Sequence, residues 1–295
     1  MVRTVAASAI LILSILAASA QPPAESVTVT GFKSRETLDK FVKSFAAPTS
    51  LNGKIARWER SICPLAVGQP PAFTNFVTQR LKDIAVTVGA PINATQSCTP
   101  NIEIVFTTTP QDLLDNICAH EVDYLGYVES SARRKELATV TRPVQAWYAT
   151  ETKDLAGMTK LDTAQRTPGG VKMGPIDLPF ATYARTTGNH IDDGVRSTFN
   201  HIIIVVDLNK LAGHEIGALT DYIAMLALTQ LNSLDTCQEL PSIVNMWAPG
   251  CDQKTNATAD SDLAYLRGLY KMSPDKKLVE QRNEIANLMK EALGP

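Results

Sequence analysis

The sequence predicts a single-domain α/β (mixed α+β) protein: a twisted mixed sheet packed by helices, with a long buried central helix at about 214–231 and a helical C-terminus. Three observations predict it. Residues 55–106 read as strand, helix, strand, a succession that argues for a crossover with parallel pairing. The run Ile202–Val206 is continuous, apolar and rich in β-branched residues, as in a strand buried on both faces. It leads into a segment where Ile216, Leu219, Ile223 and Leu226 repeat at helical spacing, with Ala218, Tyr222 and Met225 on the flank. A helix apolar nearly all round is packed on most sides, so this strand and helix form the centre.

Taken in order, the chain opens with an exported-protein leader. Arg3 supplies a positive start, Ala6–Leu16 an apolar stretch, and Ala18-Ser19-Ala20 a small-residue cleavage site before Gln21. Residues 1–20 are therefore expected to be a signal peptide cleaved after Ala20, placing the protein in a periplasmic or extracellular compartment. No later run has the roughly 20 apolar residues of a membrane span. Residues 21–54 form a lead-in with a short helix capped by Ser34 and carrying Leu38, Phe41, Val42 and Phe45 on one face. The main α/β domain is expected over 55–295, starting with a strand over Ile55–Val67.

Pro71 suits the first turn of the next helix, whose stripe is Phe73, Val77, Leu81, Ile84 and Val88, with Gly89 at its end. Ile102–Phe106 is the second strand, and Thr109-Pro110 starts a helix running to about Ala119. Pro143–Thr150 and Leu178–Arg185 read as strands, with loops marked at 167–170 and 188–194. After the central strand and helix, Asp260 or Ser261 caps a helix with Leu263, Leu266 and Leu269. Ser273-Pro274-Asp275 begins the last one, with Leu278, Ile285, Met289 and Leu293.

Lysine and arginine number 28 against 30 aspartates and glutamates, for a net charge of −2, and the signs are interspersed. No basic field for nucleic acid or membrane surface results. Five cysteines in an oxidising compartment imply bridges. Cys237 and Cys251 bracket a short loop containing Pro241, Pro249 and Gly250 and make the best local pair. Cys63 and Cys98, flanking one helical segment, are next, and other pairings stay open. Cys118 is left over. No C-x-x-C occurs, which speaks against thiol-redox and zinc-ribbon chemistry.

Among candidate chemical groups, His214-Glu215 comes first. Zinc hydrolases use H-E-x-x-H because residues i and i+4 share a helical face and place two imidazoles on one metal, with the glutamate as base. Here the i+4 residue is Ala218, and after His120-Glu121 it is Tyr124, so neither motif is complete. Glu215 equally suits a helix first turn. Asp221 sits in the apolar helix, where an unpaired carboxylate is costly. It lies on the narrow exposed edge of the helix, or pairs with an arginine or a backbone donor, or occupies a functional cleft beside Tyr222. His190, Asp192 and Asp193 share a glycine-bounded loop, His201 opens the central strand, and Cys118-Ala-His120 holds the residue types of a cysteine nucleophile. Asn93-Ala-Thr95 and Asn256-Ala-Thr258 fit glycosylation acceptors. No G-x-S-x-G, phosphate loop or G-x-G-x-x-G is present.

The stretches WERSICPLAVGQPPAF, NIEIVFTTTPQDLLDN, EIGALTDYIAMLALTQL, LPSIVN and DLAYLRGLYKMSPD, in this order over much of 58–290, resemble a set of exported bacterial proteins without assigned activity. More distantly, the order of elements resembles the zincin metallopeptidase fold. If LTDYIAMLAL is laid on that fold's metal-binding helix, Asp221 falls at the first histidine, Tyr222 at the glutamate and Met225 at the second histidine. The general base is then gone, and a thioether is a poor zinc ligand. The resemblance thus implies a zincin-like scaffold without its metal. The expected role is a non-catalytic module of the cell envelope that binds a protein, peptide or glycan and needs no cofactor. The expected cleft lies beside the central helix at Asp221, Tyr222 and Met225. The alternative is a zinc-dependent hydrolase with an atypical site of His214, Glu215 and Asp221.

Overall fold

The computed structural model describes residues 34–93, 97–128, 130–162, 171–173, 176–178, 194–211 and 213–294. The expected leader, the lead-in to residue 33, nearly all of the strand expected at Leu178–Arg185, and the loop of His190, Asp192 and Asp193 lie outside them. Over Phe32–Pro295 the chain is one compact unit, of mixed α+β class.

Helix α1 (Arg35–Phe45) starts where Ser34 accepts the N–H of Thr37, and it buries Leu38, Phe41, Val42 and Phe45. Strand β1 is shorter than expected, Pro64–Val67 only. Residues 55–62 instead make single bridges, Ile55 to Pro48, Arg57 to Thr198 and Ile62 to Ile92, while Ile55, Ala56, Trp58 and Ile62 are all buried. Their burial does not alternate, so these residues fill the core as an irregular segment and not as one strand.

Helix α2 (Pro71–Val88) carries Pro71 in its first turn and ends on Gly89 at φ 79°. Strand β2 (Ile102–Thr107) follows and pairs in parallel with β1, as a crossover requires. Helix α3 (Pro110–His120), a 3-10 turn (Val122–Leu125) and helix α4 (Ser131–Leu137) precede strand β3 (Val144–Lys153), strand β4 (Thr159–Leu161) and a small hairpin, β5 (Val171–Met173) with β6 (Ile176–Leu178). Strand β7 (Arg196–Asp207) is the central one: the sheet order is β1-β2-β7-β3-β4, with β7 parallel to β2 and antiparallel to β3. The buried run thus lies mid-sheet, and the strand extends six residues upstream of Ile202.

Helix α5 (Ile216–Leu228) follows β7, shorter than the expected 214–231. His214 lies ahead of it and Glu215 is its N-cap, while Thr229 is already extended. The end is set by side chains from three directions. Tyr148 donates its hydroxyl to the Leu226 carbonyl at 2.9 Å, Trp58 its indole N–H to Ala227 at 2.8 Å, and Tyr270 its hydroxyl to Leu228 at 2.9 Å. The last-turn carbonyls, which lack helical partners, are satisfied there. Helix α6 (Asp260–Lys271) has Ala259 as N-cap, not Asp260 or Ser261, and Asp262 accepts the Ala259 N–H at 2.9 Å. Helix α7 (Leu278–Leu293) begins after the Ser273-Pro-Asp turn, three residues beyond Asp275.

The two faces of the sheet differ in depth. Ile202, Ile204 and Val206 point into the larger core with residues of α1, α2, α5, α6 and α7. Phe45 there meets Tyr265 edge-on at 5.0 Å. Ile203 and Val205 point the other way, into a small cluster with Trp147, Leu114, Leu125 and Ala138 under α3, the 3-10 turn and α4. Cys63 is bonded to Cys98 and Cys237 to Cys251, the two pairs expected first, and Cys118 is free. Among the described residues no helix is long and apolar enough to cross a membrane.

Candidate functional site

The residues singled out on the central helix do not line a cleft. Asp221 is 1% exposed, Tyr222 3% and Met225 0%. Tyr222 lies edge-on to Trp247, ring centroids 4.5 Å apart, and Met225 packs in the main core. The helix is buried on every side along this stretch, and its apolar composition leaves no room for an opening.

Asp221 has the arginine and backbone partners that burial demands. Arg80 of α2 grips it with both prongs, Nε to Oδ1 at 2.7 Å and Nη2 to Oδ2 at 2.9 Å. Thr258 donates its backbone N–H and its hydroxyl to Oδ2, each at 2.8 Å. Burial pushes the carboxyl up, but the Arg80 and Thr258 hydrogen bonds outweigh it and hold Asp221 below its ordinary value. The residue ties α5 to α2 and to the start of α6.

The residues expected of an atypical zinc site do not fit one. His214 and Glu215 are exposed, and the His214 Nε2 accepts the Trp247 indole N–H at 3.1 Å. All four donors to Asp221 would have to leave before it could ligate a cation. Among the described residues no group of three or more His, Cys, Asp or Glu side chains is arranged to hold a metal. His120 bonds its own helix, Nδ1 to the Asn116 carbonyl at 3.0 Å.

An opening lies elsewhere, beyond the C-terminal end of α5 and along β3. Alternate residues of an antiparallel strand turn their N–H and C=O toward one neighbour. The Asp207 N–H bonds the Pro143 carbonyl at 2.8 Å, which turns the odd-numbered residues of this strand toward β7. The Asp162 N–H bonds the Thr150 carbonyl at 2.8 Å, which turns the even-numbered residues outward. On that outer side the described residues of β4, with Asp162, cover only Thr150–Lys153. Among the described residues, the main-chain groups of Val144 and Ala146 and the N–H of Tyr148 therefore have no strand partner.

A groove of about 660 Å³ runs along this edge. One wall comes from the smaller layer (Leu125, Val128 and Leu137) and the other from the larger core (Leu226, Leu231 and Leu234), while Gln145–Tyr148 form the floor. Gly126 makes the groove possible. It has φ 82°, and a Cβ there would stand 2.2 Å from the Tyr148 carbonyl oxygen. Only glycine brings the chain so close to the strand edge. The floor is rigid: Trp147 donates to the Leu137 carbonyl at 2.8 Å, and Gln145 bonds the Thr141 N–H and the Thr139 carbonyl. The Tyr148 hydroxyl is held protonated far above its ordinary range by burial. Arg133 and Arg142 line the groove; no carboxylate does among the described residues.

A second opening, about 460 Å³, lies at the far end of β3 and β7 and includes His201, Tyr124 and Asn200. His201 does not mark the end of the central strand but sits inside it, 8% exposed. Its Nε2 is 3.3 Å from Glu103, its ring meets Tyr124 edge-on at 4.4 Å, and its Nδ1 is buried with no partner among the described residues. Burial lowers its pKa against the pull of Glu103. Asp262 of α6, fully buried, was not among the sequence candidates. Burial pushes it up to about 6, although Ser242, Ile243 and Ala259 all donate to it.

Fold and site together define a mixed α+β domain whose exposed feature is a strand edge set in a groove. No protein-family model, curated protein or solved structure matches this chain.

Proposed function

We propose that this is an exported, non-catalytic binding module of the cell envelope that takes an extended polypeptide segment as an added strand along β3. The observation that carries the reading is the set of main-chain groups at Val144, Ala146 and Tyr148 that have no partner among the described residues and lie along the groove. Extended peptides join exposed sheet edges through main-chain hydrogen bonds, with flanking pockets choosing alternate side chains. The apolar walls supply such pockets. Of the expected partner classes, protein, peptide or glycan, a polypeptide alone carries the repeating donors and acceptors that a strand edge needs.

Export is supported by the leader-like N-terminus and by two disulfides, which persist in oxidising compartments. The strand-helix-strand start and the helix following the central strand support the zincin-like reading of the architecture. The non-catalytic reading rests on the saturation of Asp221 and the engagement of His214. The test is capture from a degenerate octapeptide library by the disulfide-bonded protein, repeated with Ala146→Pro. Enriched peptides whose binding is lost in Ala146→Pro support strand addition. Peptides that bind the variant equally well refute it.

A further inference from the structure

Resting on that reading, we infer that the groove selects an acidic segment, and that a ligand carboxylate replaces Asp235 on Arg142. Arg133 projects from the α4 wall and Arg142 stands at the entrance, two residues before β3. No carboxylate is among the described lining residues, so the charged side chains that reach the groove itself are both cationic, and the acids that pair with them stand outside its lining. An incoming carboxylate gains a cation there only by replacing one of those acids.

Both arginines are held by carboxylates that face solvent. Arg142 Nη2 lies 2.5 Å from Asp235 Oδ2, whose side chain is 76% exposed, while the arginine is 28% exposed. Arg133 Nη1 lies 2.6 Å from Glu136 Oε2, and both side chains are about two-thirds exposed. Exposed pairs are weak, so each arginine can exchange its partner at little loss. Arg142 is the better anchor, because it is the less exposed of the two and lies in line with the free edge. A guanidinium takes a carboxylate through two parallel N–H groups, which fixes the ligand's register as well as its charge. Asp235 therefore occupies the place of the ligand acid when the groove is empty.

The probes are three fluorescein-labelled octapeptides alternating valine with glutamate, glutamine or lysine, titrated against the disulfide-bonded protein by anisotropy. The glutamate peptide is expected to bind about ten-fold tighter than the glutamine one, with the lysine peptide weakest. Arg142→Ala should weaken the glutamate peptide about five-fold and leave the glutamine peptide unchanged. Asp235→Asn, an exposed substitution that removes the internal competitor, should strengthen the glutamate peptide about three-fold. Equal binding of glutamate and glutamine peptides, abolished in both by Ala146→Pro, overturns the acidic preference and leaves strand addition intact. Binding of the glutamate peptide that survives Ala146→Pro keeps the charge selection and overturns the strand-addition reading on which it rests. Preference for lysine, or a weakening in Asp235→Asn, also overturns the inference.

Discussion

The buried stretch of α5 and the outer edge of β3 lie in one domain and are opposites in chemistry. On α5 the conspicuous carboxylate, Asp221, is matched by four donors from Arg80 and Thr258. On β3 the side chains are ordinary, yet among the described residues the main chain at Val144 and Ala146 has no partner on one side. Saturated polar groups hold structure together; unsaturated ones in a concave surface are where a ligand can be gained. The difference teaches that an unusual residue in a buried helix marks a structural tie, while the proposed binding surface is built from main-chain groups that every residue but proline carries in full.

The largest expected effect tests the α5 side. Asp221→Ala leaves the Thr258 N–H and the Arg80 guanidinium without their acceptor, at a cost of about 3 kcal/mol in a denaturant titration. The low end of the range for buried pairs applies because Arg80 is 41% exposed and regains water. If that variant lost peptide binding while fully folded, Asp221 would belong to the site and the contrast would collapse.

The β3 edge is sharpened by two prolines. Ala149→Pro removes an N–H that faces β7 and should destabilise by about 3 kcal/mol. Ala146→Pro removes an N–H that faces the groove and should shift stability by no more than about 1 kcal/mol, since edge strands tolerate proline on the outer side. Equal losses would mean that both sides of β3 are paired. Gly126→Ala is expected to cost about 1–3 kcal/mol, because the added methyl meets the Tyr148 carbonyl at a φ that alanine rarely adopts.

Smaller effects appear with pH. Asp262 binds a proton more tightly in the folded chain, at about 6, than in the unfolded one, at its ordinary 3.8. Its contribution to stability is therefore fully present below 3.8 and is lost as pH rises through about 6. Asp262→Asn should remove that loss, because the amide still accepts from Ile243 and Ala259 and can donate to Ser242. His201 has the opposite sign of dependence. Its folded pKa is lowered, so its contribution is present above 6.5 and lost as pH falls below that value. Urea midpoints between pH 3 and 8, compared for the native chain, Asp262→Asn and His201→Gln, separate the two.

Periodicity made α1, α2, the central strand and α5 legible, because apolar spacing reports which face is buried. The Cys237–Cys251 pair was legible from its short loop, and Cys63–Cys98 from the helical segment that the two flank. That Asp221 needs a partner also followed from the sequence, but Arg80 did not, since it lies 141 positions away and is brought in only when α2 packs on α5. The strand expected over Ile55–Val67 shrank to Pro64–Val67 because buried residues can fill a core without alternating. The edge left open among the described residues left no mark: whether Ala146 has a partner depends on how far the pairing with β4 runs, and main-chain groups are the same in every residue but proline.

Amide hydrogen exchange along β3 tests the central claim most directly. In the free protein the amides of Gln145, Trp147 and Ala149, bonded to β7, should exchange slowly, and those of Val144, Ala146 and Tyr148 much faster. Bound peptide should slow the second set alone. Uniform protection of all six amides without ligand would contradict the open edge and the function built on it.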